Sequence, residues 1–300
     1  MEISVGSMSK VFEGLNTAFV GAIDKAEPPD VERMVQIVPS TIGTEFYPTA
    51  GLFGDLEEML DELTMTNLVS FLQEVENVVY ARGFGVPRLH VINDQLGMYG
   101  MLARRLGTRA ATFPYRRIGK LLVNGTATAW IDGSNIFANA HTWPGGQTWD
   151  NLDALPLTAA NFEIVVRHLE GRVDPDGEEM GLKARLLVCG TVNKVDARRI
   201  LNRELIGGGD SNIHFEETDL LVLPNLGYHW AVIDDEEKPI IWQDREPPAL
   251  VAQDSEMADS VFYRETYNYK ARRTGAHAIV EPWRIQFVDW NSTSTTTAAS

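Results

Sequence analysis

The sequence predicts a mixed α+β fold, and two patterns carry that prediction. Apolar residues recur at helical spacing near the N-terminus, and runs of strand-forming residues alternate with capped helical segments in the second half. A chain of 300 residues is long enough for about two domains and for burial of roughly three-quarters of its unfolded surface. Such a core needs neither disulfides nor metals to hold it together.

The first predicted helix covers residues 8–23. Its apolar positions recur at intervals of four, three, four and three residues, and they are Met8, Phe12, Leu15, Phe19 and Ala22. Pro28 and Pro29 end the helix, because proline cannot continue the hydrogen-bond ladder. We interpret the segment as an arm laid on another surface. The alternative is an ordinary first helix of a globular domain.

Strand-forming residues dominate residues 67–91, and glycines and a proline interrupt them at Gly83-Phe84-Gly85-Val86-Pro87. This pattern predicts a long hairpin with an irregular tip or bend.

A long helix is predicted next, from residue 96 to residue 123. Asn93 or Asp94 is the candidate N-cap, and Asn124-Gly125 marks the C-terminal end. Pro114 lies inside this helix and is expected to kink or divide it. A strand at 127–132 and a turn-rich stretch at 139–155 are expected to follow.

The second half is predicted to alternate between helices and strands. Thr158 caps a helix that reaches residue 169, residues 174–177 form a turn, and Thr191 caps a helix that reaches residue 201. Strands are predicted at 185–189, 219–223, 228–233, 239–242, 261–269 and 276–288. Residues 291–300 have little to bury and form a polar tail.

The net charge excludes several classes of partner. With 26 Lys+Arg against 42 Asp+Glu, the formal charge is −16, which disfavours unaided binding to nucleic acid or to an anionic membrane surface. The single cysteine, Cys189, cannot form an intrachain disulfide, and it closes an apolar run where a small buried side chain is expected. No signal peptide and no membrane-spanning run is present, so we expect a soluble protein.

The charges are segregated along the chain. Residues 34–81 hold eight acidic residues and no Lys or Arg, whereas residues 95–131 hold six basic residues and no acid. The acidic stretch includes Glu57, Glu58, Asp61 and Glu62, and the basic one includes Arg104, Arg105 and Arg109.

Motifs that carry chemistry are missing from the sequence. The six histidines are scattered, and Asp174-x-Asp176-Gly177 lacks the later ligands of an EF-hand. The glycines of Gly83-x-Gly85 and Gly207-Gly208-Gly209 lack the companions of a phosphate-binding loop, and no Gly-x-Ser-x-Gly elbow occurs. We therefore predict no catalytic residue, no cofactor and no metal site, and we favour an assembly role over an enzyme.

Eight short segments distributed over residues 12–288 carry a resemblance to a known family. They are Leu15-Asn16-Thr17-Ala18-Phe19, Asn93-Asp94-Gln95-Leu96-Gly97-Met98-Tyr99-Gly100, Lys120-Leu121-Leu122-Val123-Asn124-Gly125, Asp132-Gly133-x-Asn135-Ile136-Phe137, Leu157-Thr158-Ala159-Ala160-Asn161-Phe162, Ala197-Arg198-Arg199-Ile200-Leu201-Asn202, Lys238-Pro239-Ile240-Ile241-Trp242-Gln243-Asp244-Arg245-Glu246 and Val261-Phe262-Tyr263-Arg264. In this order the segments resemble the major head subunits of Mu-like phages, a branch of the tailed-phage major capsid proteins with the Hong Kong 97 fold. Their order and spacing make the match specific for a fold and a role rather than for a catalytic residue. The chain departs from the family at His141-Thr142, where relatives carry an Asp-His-Pro-like turn.

The resemblance implies a division of the chain into six parts. These are an N-terminal arm at 1–40, an extended loop at 41–95, a peripheral domain with a long spine helix at 96–155, an axial domain at 156–260, return strands of the peripheral domain at 261–290 and a polar tail at 291–300.

The resemblance also implies a function. The expected protein is a major capsid protein that self-assembles, as hexamers and pentamers, into the icosahedral head shell around the double-stranded DNA of a tailed phage. Its expected partners are copies of itself, portal and scaffolding proteins, decoration proteins, and packaged DNA bound without sequence specificity; no membrane is involved. The protein would belong to the virion and assemble in the bacterial cytoplasm. Because the sequence begins close to the arm, without the helical scaffold segment of some relatives, we expect a separate scaffolding protein, or a protease acting on one.

The charge segregation and the resemblance together suggest contacts between subunits. We predict that Glu57, Glu58, Asp61 and Glu62 in the loop of one subunit meet Arg104, Arg105 and Arg109 on the spine helix of the next. The alternatives are two separately solvated faces, or a basic helix face turned toward packaged DNA. We also expect Phe12 and Phe19 of the arm to dock on a neighbouring subunit.

Two further expectations concern the shell itself. Some members of the wider fold cross-link their loops through a lysine and an asparagine, but residues 31–95 contain no lysine, so we predict a non-covalent shell. The rival functions are an encapsulin-like shell around a cargo enzyme and, in a different class, a soluble α/β hydrolase.

Overall fold

The computed structural model describes residues 5–27, 29–49, 71–93, 96–143, 146–201 and 218–290. The α-helices are α1 (Val5–Ile23), α2 (Arg88–Ile92), α3 (Gly97–Ala111), α4 (Phe113–Arg116), α5 (Ile118–Asn124), α6 (Ala159–Glu170), α7 (Lys194–Leu201) and α8 (Asp259–Arg264). The strands are β1 (Val35–Pro39), β2 (Thr44–Thr49), β3 (Phe71–Glu76), β4 (Val78–Pro87), β5 (His141–Thr142), β6 (Thr148–Trp149), β7 (Leu152–Asp153), β8 (Leu186–Gly190), β9 (Asp219–Leu223), β10 (Trp230–Ile233), β11 (Ile240–Gln253), β12 (Thr266–Ile279) and β13 (Ile285–Val288).

Helix α1 confirms the first predicted helix, and it packs lengthwise on α3. Met8, Leu15 and Phe19 of its apolar stripe are buried. The two backbones come very close at Gly107 of α3, where an added Cβ would clash with the carbonyl oxygen of Phe19. Glycine at this position therefore permits the helix contact.

A four-stranded sheet with the order β1-β11-β12-β4 forms the floor beneath α1 and α3. Strand β4 runs without interruption through Gly83 and Gly85, so the predicted bend at this point is wrong. The physical reason is close approach to β12, because a Cβ at Gly83 would lie 2.5 Å from the carbonyl oxygen of Tyr269. The glycines allow β4 to pair along its whole length with β12.

The hairpin partner of β3 is β2 rather than β4, which corrects the predicted hairpin over residues 67–91. Strands β2 and β3 pair antiparallel from Thr44↔Glu76 to Thr49↔Phe71. The base of this hairpin lies on the four-stranded sheet, where Tyr47 donates a hydrogen bond of 3.0 Å to Gln243 Oε1. A small cluster of Val75, Ile241, Ala276 and Ala278 seals the contact.

The predicted long helix is divided into α3, α4 and α5, as expected from Pro114, which lies in the first turn of α4. The C-terminal end at Asn124-Gly125 is confirmed. The N-cap prediction is wrong for Asn93, because this residue ends the short helix α2, and Asp94 lies outside the described residues.

The second half forms a five-stranded sheet with the order β7-β13-β10-β8-β9. Every residue of β8 is buried, as its apolar run predicted. Thr158 caps α6 as predicted, accepting a hydrogen bond of 3.2 Å from the Asn161 N–H. Helices α6 and α7 supply buried residues to the core on one face of this sheet.

Two predicted strands adopt other structures. Residues 127–132 form turns, because Asp132 and Gly133, with φ +88°, reverse the chain and Asp132 Oδ1 accepts from the Ser134 N–H at 2.9 Å. Residues 259–264 form α8 within the twelve-residue connection between β11 and β12, and the chain enters β12 only at Thr266. Glu265, with φ 49°, ends that helix.

Two strands lie in a different sheet from the one that the predicted domain boundaries imply. Strand β11, expected in the axial part, pairs with β1 and β12 in the four-stranded sheet, and β13, expected among the returning strands, lies in the five-stranded sheet. None of the helices described is both long and apolar enough to cross a bilayer.

Candidate assembly surfaces

The basic face of α3 to α5 is the first surface that the sequence indicated. Tyr99, Ala103 and Gly107 are the buried positions of α3, which leaves the opposite face of this helix open. The cations on the open side are all exposed, and they are Arg104, Arg105, Arg109, Arg116, Arg117 and Lys120. Within the described residues none of the six forms an ion pair.

The acidic surface is described only at its base. Glu57, Glu58, Asp61 and Glu62 lie outside the described residues, whereas Glu74 is exposed on β3. Glu76, also on β3, is exposed as well.

Glu45 belongs to the same acidic stretch, but its carboxylate serves the fold. Its Oε1 accepts hydrogen bonds from Ser40 Oγ at 2.9 Å and from the Thr41 N–H at 3.0 Å. The Ser40 bond, first, and the backbone bonds lower the pKa of Glu45. This acid therefore holds the turn before β2 rather than a partner.

A groove separates the hairpin base from α5. It has a volume of about 580 Å³, with Glu74 and Glu76 contributed by β3 and Arg117 and Lys120 contributed by the helical side. The indole N–H of Trp130 is buried at this groove and has no partner among the described residues. Acidic and basic side chains thus line one groove within a single chain.

The arm residues occupy positions inside the chain. Phe19 is completely buried between α1 and α3, and the half-buried Phe12 stacks on Tyr269 with ring centroids 6.5 Å apart. Within the chain, α3 and the four-stranded sheet thus cover Phe19, whereas Phe12 keeps part of its ring exposed, and docking of the arm on a neighbouring subunit stays a prediction.

A buried polar network lies beyond what the sequence indicated. His141 Nδ1 is 2.7 Å from Asp132 Oδ2, and its Nε2 is 3.1 Å from Asn151 Oδ1. Asn151 Oδ1 also accepts the Ala138 N–H, which identifies that atom as the oxygen. Both ring nitrogens of His141 thus face acceptors, and the ring stacks on Trp149 with centroids 4.2 Å apart.

The other candidates for chemistry have structural roles. Burial raises the pKa of the Cys189 thiol to about 11, so this side chain is an unreactive part of the core. Asp174 Oδ1 accepts the N–H groups of Asp176 and Glu178, which makes a tight turn of the calcium-like sequence. No group of three potential metal ligands occurs in the part of the chain that the structure covers.

One exposed surface has no signal in the sequence, because part of it lies in the predicted strand at 261–269. Met257, Phe262 and Tyr263 project from the connection between β11 and β12, with most of each side chain exposed. A strand-forming run that ends a long hairpin gives no signal of this exposure, since its pattern also fits a buried strand.

The architecture is similar to that of phage capsid chains. A chain of the procapsid of bacteriophage JBD30 matches with a TM-score of 0.58 at 19% identity, over 97% of this chain and 78% of that chain. A chain of the JBD30 capsid decorated with minor capsid protein trimers matches with a TM-score of 0.60 at 19% identity, over 67% of this chain and 92% of that chain. A virus-like particle from Pyrococcus furiosus gives 0.53 at 8% identity, over 92% of this chain and 98% of that chain. The hairpin, the basic helical face and the two sheets define a protein of the Hong Kong 97 class of capsid folds.

The chain belongs to the Mu-like prophage major head subunit gpT family, whose model matches residues 8–154, 149–226 and 224–278. It is 25% identical over 141 residues to the major capsid protein of Escherichia phage Mu, covering 47% of this chain and 46% of that protein. It is 27% identical over 131 residues to the Mu-like prophage FluMu major head subunit of Haemophilus influenzae (strain ATCC 51907 / DSM 11121 / KW20 / Rd), covering 44% and 42%. The chain thus aligns with a little under half the length of these relatives. The family consists of structural capsid proteins rather than enzymes.

Proposed function

We propose that this chain is the major capsid protein of a tailed phage and assembles from copies of itself into an icosahedral head shell. The observation that carries the proposal is the family match from residue 8 to residue 278. The fold supports it, since a phage procapsid chain shares its architecture over 97% of this chain.

The two sheets support a division of the chain into domains. The peripheral domain would combine α3 to α5 with the four-stranded sheet, and the axial domain would consist of the five-stranded sheet with α6 and α7. The extended loop would continue from the β2–β3 hairpin, and α1 with the following residues would form the arm. The division places β11 in the peripheral domain and β13 in the axial domain, which revises the boundaries expected from the sequence.

The contact between subunits would be electrostatic in part. The loop acids Glu57, Glu58, Asp61 and Glu62 of one subunit would face Arg104, Arg105 and Arg109 of the next. The exposure of these arginines and their lack of ion pairs in the described chain support this arrangement. Complementary charge steers assembly and sets register more than it adds affinity. Separate solvation of the two faces, or a helix face turned toward DNA, would leave shell formation insensitive to the loop charges.

The remaining partners follow from the role in the head. Portal and scaffolding proteins, decoration proteins and packaged double-stranded DNA would contact the shell, which would form in the host cytoplasm and become part of the virion. A net charge of −16 suits a container, because an acidic wall encloses DNA without strong adhesion.

The test is assembly of the purified protein with a scaffolding protein, followed by sedimentation and electron microscopy. Closed particles many times the mass of the 33.4 kDa chain are expected. A monomer or small oligomer under every assembly condition would contradict the proposal.

The encapsulin-like alternative would use the same fold, so architecture does not separate the two. The family match favours the phage head. Particles isolated from the native source decide between them, since a head holds double-stranded DNA and an encapsulin-like shell holds a cargo protein. The match to a family of structural capsid subunits argues against the rival function of a soluble α/β hydrolase.

A further inference from the structure

The turn segment, defined as residues 125–143 and 146–151, lies where the four-stranded and the five-stranded sheet meet. Phe137 and Trp149 of this segment share one core cluster with Leu186 of β8 and Trp242 of β11, and these two strands belong to different sheets. The strands within the segment are β5 and β6, of two residues each. Its remaining buried polar groups therefore need partners outside a regular ladder.

His141 lies inside this segment and has no exposed surface. Its Nδ1 is 2.7 Å from Oδ2 of Asp132, and its Nε2 is 3.1 Å from Oδ1 of Asn151. Only 6% of the Asp132 side chain is exposed. A neutral imidazole carries a single N–H, so it can donate to only one of these two oxygens.

The orientation of the Asn151 amide is fixed by its other hydrogen bonds. Its Nδ2 donates to the carbonyl oxygens of Ile136 at 2.8 Å and Pro282 at 3.2 Å. Its Oδ1 accepts the Ala138 N–H at 2.9 Å. Exchanging the oxygen and the nitrogen would break all three bonds. Because Oδ1 can only accept, Nε2 of His141 donates to it.

The second ring nitrogen faces a carboxylate. Oδ1 of Asp132 accepts the Ser134 N–H at 2.9 Å, and a hydrogen bond of this kind favours the ionised form of the acid. A bare lone pair on Nδ1 of His141 would be repelled by the anionic oxygen 2.7 Å away, whereas an N–H makes a charge-assisted hydrogen bond. Both ring nitrogens therefore require a proton.

The aromatic rings around His141 suit a cation. Trp149 stacks on the imidazole with centroids 4.2 Å apart, and Trp130 meets it edge to face with centroids 5.4 Å apart. The face of an indole ring attracts a positive charge. The stack with Trp149 thus adds to the attraction of the Asp132 carboxylate.

One other cation lies near this ring stack. The guanidinium carbon of Arg172, which follows α6, is 5.2 Å from the centroid of the Trp149 ring. Burial lowers the pKa of Arg172 to about 10, and the carboxylates of Asp150 and Asp153 act in the opposite direction. These two acids thus offset the charge of Arg172, and Asp132 remains the acid in contact with His141.

We propose that His141 is an imidazolium in the folded subunit, and that its two N–H groups lock the turn segment by joining Asp132 to Asn151. Asn151 extends this lock to Pro282, just before β13. Loss of either ring proton leaves one acceptor facing a lone pair, so the lock depends on the proton. The inference goes beyond the proposed function, because it concerns the folded single chain and needs no shell.

NMR spectroscopy of the unassembled, full-length subunit with 15N-labelled histidine tests the protonation state at neutral pH. His141 should give two imidazole N–H signals, assigned through their contacts with the ring protons of Trp149. His277 is the control within the same spectrum. Burial lowers its pKa to about 4 and its Nε2 lies 2.7 Å from the Pro114 carbonyl oxygen, so it should give one N–H signal. Fewer than two signals from His141 beside the His277 signal would overturn the proposal.

The variant Asp132→Asn tests which group holds the second proton. It keeps the size of the side chain and removes its charge, so His141 should become neutral and lose one of its two N–H signals. Asp176→Asn makes the same change on an exposed turn and should keep both signals. Two His141 signals in a folded Asp132→Asn subunit would contradict the role of Asp132. If that variant does not fold, the wild-type spectrum decides.

A titration of the wild type toward alkaline pH tests the lock itself. As His141 loses its second N–H signal, the indole N–H signals of Trp130 and Trp149 should shift with the same midpoint. The control is Trp230, whose indole N–H donates to the Leu155 carbonyl oxygen at 3.0 Å outside the network, and its signal should stay in place. Unchanged Trp130 and Trp149 signals after the loss of the His141 proton would show that the proton locks nothing. The proposed function would stand in that case, because assembly is measured separately.

Discussion

Single residues decide how closely the elements of this molecule approach. Gly107 and Gly100 both lie in α3, but only Gly107 is pressed against another backbone, that of Phe19 in α1. The arm is thereby fixed to the helix through a position without a side chain.

Replacing Gly107 by Ala is expected to destabilise the subunit by about 1–3 kcal/mol, because the added methyl group forces the two helices apart. Gly100→Ala is the matched control, since nothing lies within 4 Å of its added Cβ, and it should be neutral or gain up to about 1 kcal/mol from helix propensity. Denaturant unfolding of the unassembled subunits measures both. Equal stability of the two variants would contradict the close contact.

His277 gives the subunit a predicted dependence on acid. Burial lowers the pKa of His277 to about 4 from 6.5, and Arg117 and Arg273 add to the effect, although the ring also bonds the Pro114 carbonyl oxygen at 2.7 Å. As the pH falls, His277 therefore becomes protonated near pH 6.5 in the unfolded chain but only near pH 4 in the folded chain. The contribution of neutral His277 to the free energy of unfolding is fully present above pH 6.5 and is lost as the pH falls to 4.

His277→Gln removes this titration while keeping a side chain that can donate to Pro114. Between pH 7 and pH 4, the free energy of unfolding of the variant should fall by about 3 kcal/mol less than that of the wild type. This follows from about 1.4 kcal/mol for each unit by which the two pKa values of His277 differ. Denaturant unfolding over this pH range gives the difference. If the stabilities of the wild type and of His277→Gln changed in parallel with pH, His277 would have the same pKa in the folded and the unfolded chain, which would contradict the prediction.

At the scale of elements, the proposed contact between the acidic loop and the basic helical face is the one that charge reversal can test. The hairpin base is fixed to the four-stranded sheet by Tyr47 and Val75. The cations of α3 lie on the face that α1 leaves open.

Reversal of loop charge tests this pairing. Glu57→Lys with Glu58→Lys should reduce particle yield and slow assembly, most strongly at low salt, because like charges then face Arg104 and Arg105. The fourfold change that adds Asp61→Lys and Glu62→Lys should abolish particles. Glu178→Lys with Glu179→Lys is the control, since it makes the same charge change on an exposed turn of the axial part. Light scattering follows the kinetics, and wild-type kinetics in the fourfold variant would rule the pairing out.

At the scale of the whole molecule, the shell is predicted to be held together without covalent bonds. Residues 31–95 contain no lysine that could attack an asparagine of a neighbouring loop. Assembled particles boiled in detergent should therefore run as a single band near 33.4 kDa. A ladder of covalent oligomers from purified, reduced particles would show that the prediction is wrong.

The sequence by itself determined the elements whose signals are local. The stripe of α1, the cap at Thr158, the division of the helix at Pro114 and the buried run of β8 all depend on neighbours within a few residues, and all are present. The segregation of charge is likewise a property of the sequence.

Only the tertiary structure decided which strands pair and which faces are covered. In the sequence, Gly83 and Gly85 indicate a bend, and only the close approach of β12 explains why both are glycine in a straight strand. The apolar stripe that includes Phe19 has the same pattern whether α3 or a neighbouring subunit covers it. The exposed residues of α8 lie in a run whose pattern also fits a buried strand. The network around His141 joins Asp132 and Asn151 across turns that neither helical nor strand periodicity predicts. Pairing and burial depend on contacts between distant segments, and periodicity along the chain carries no record of which segment supplies the other side.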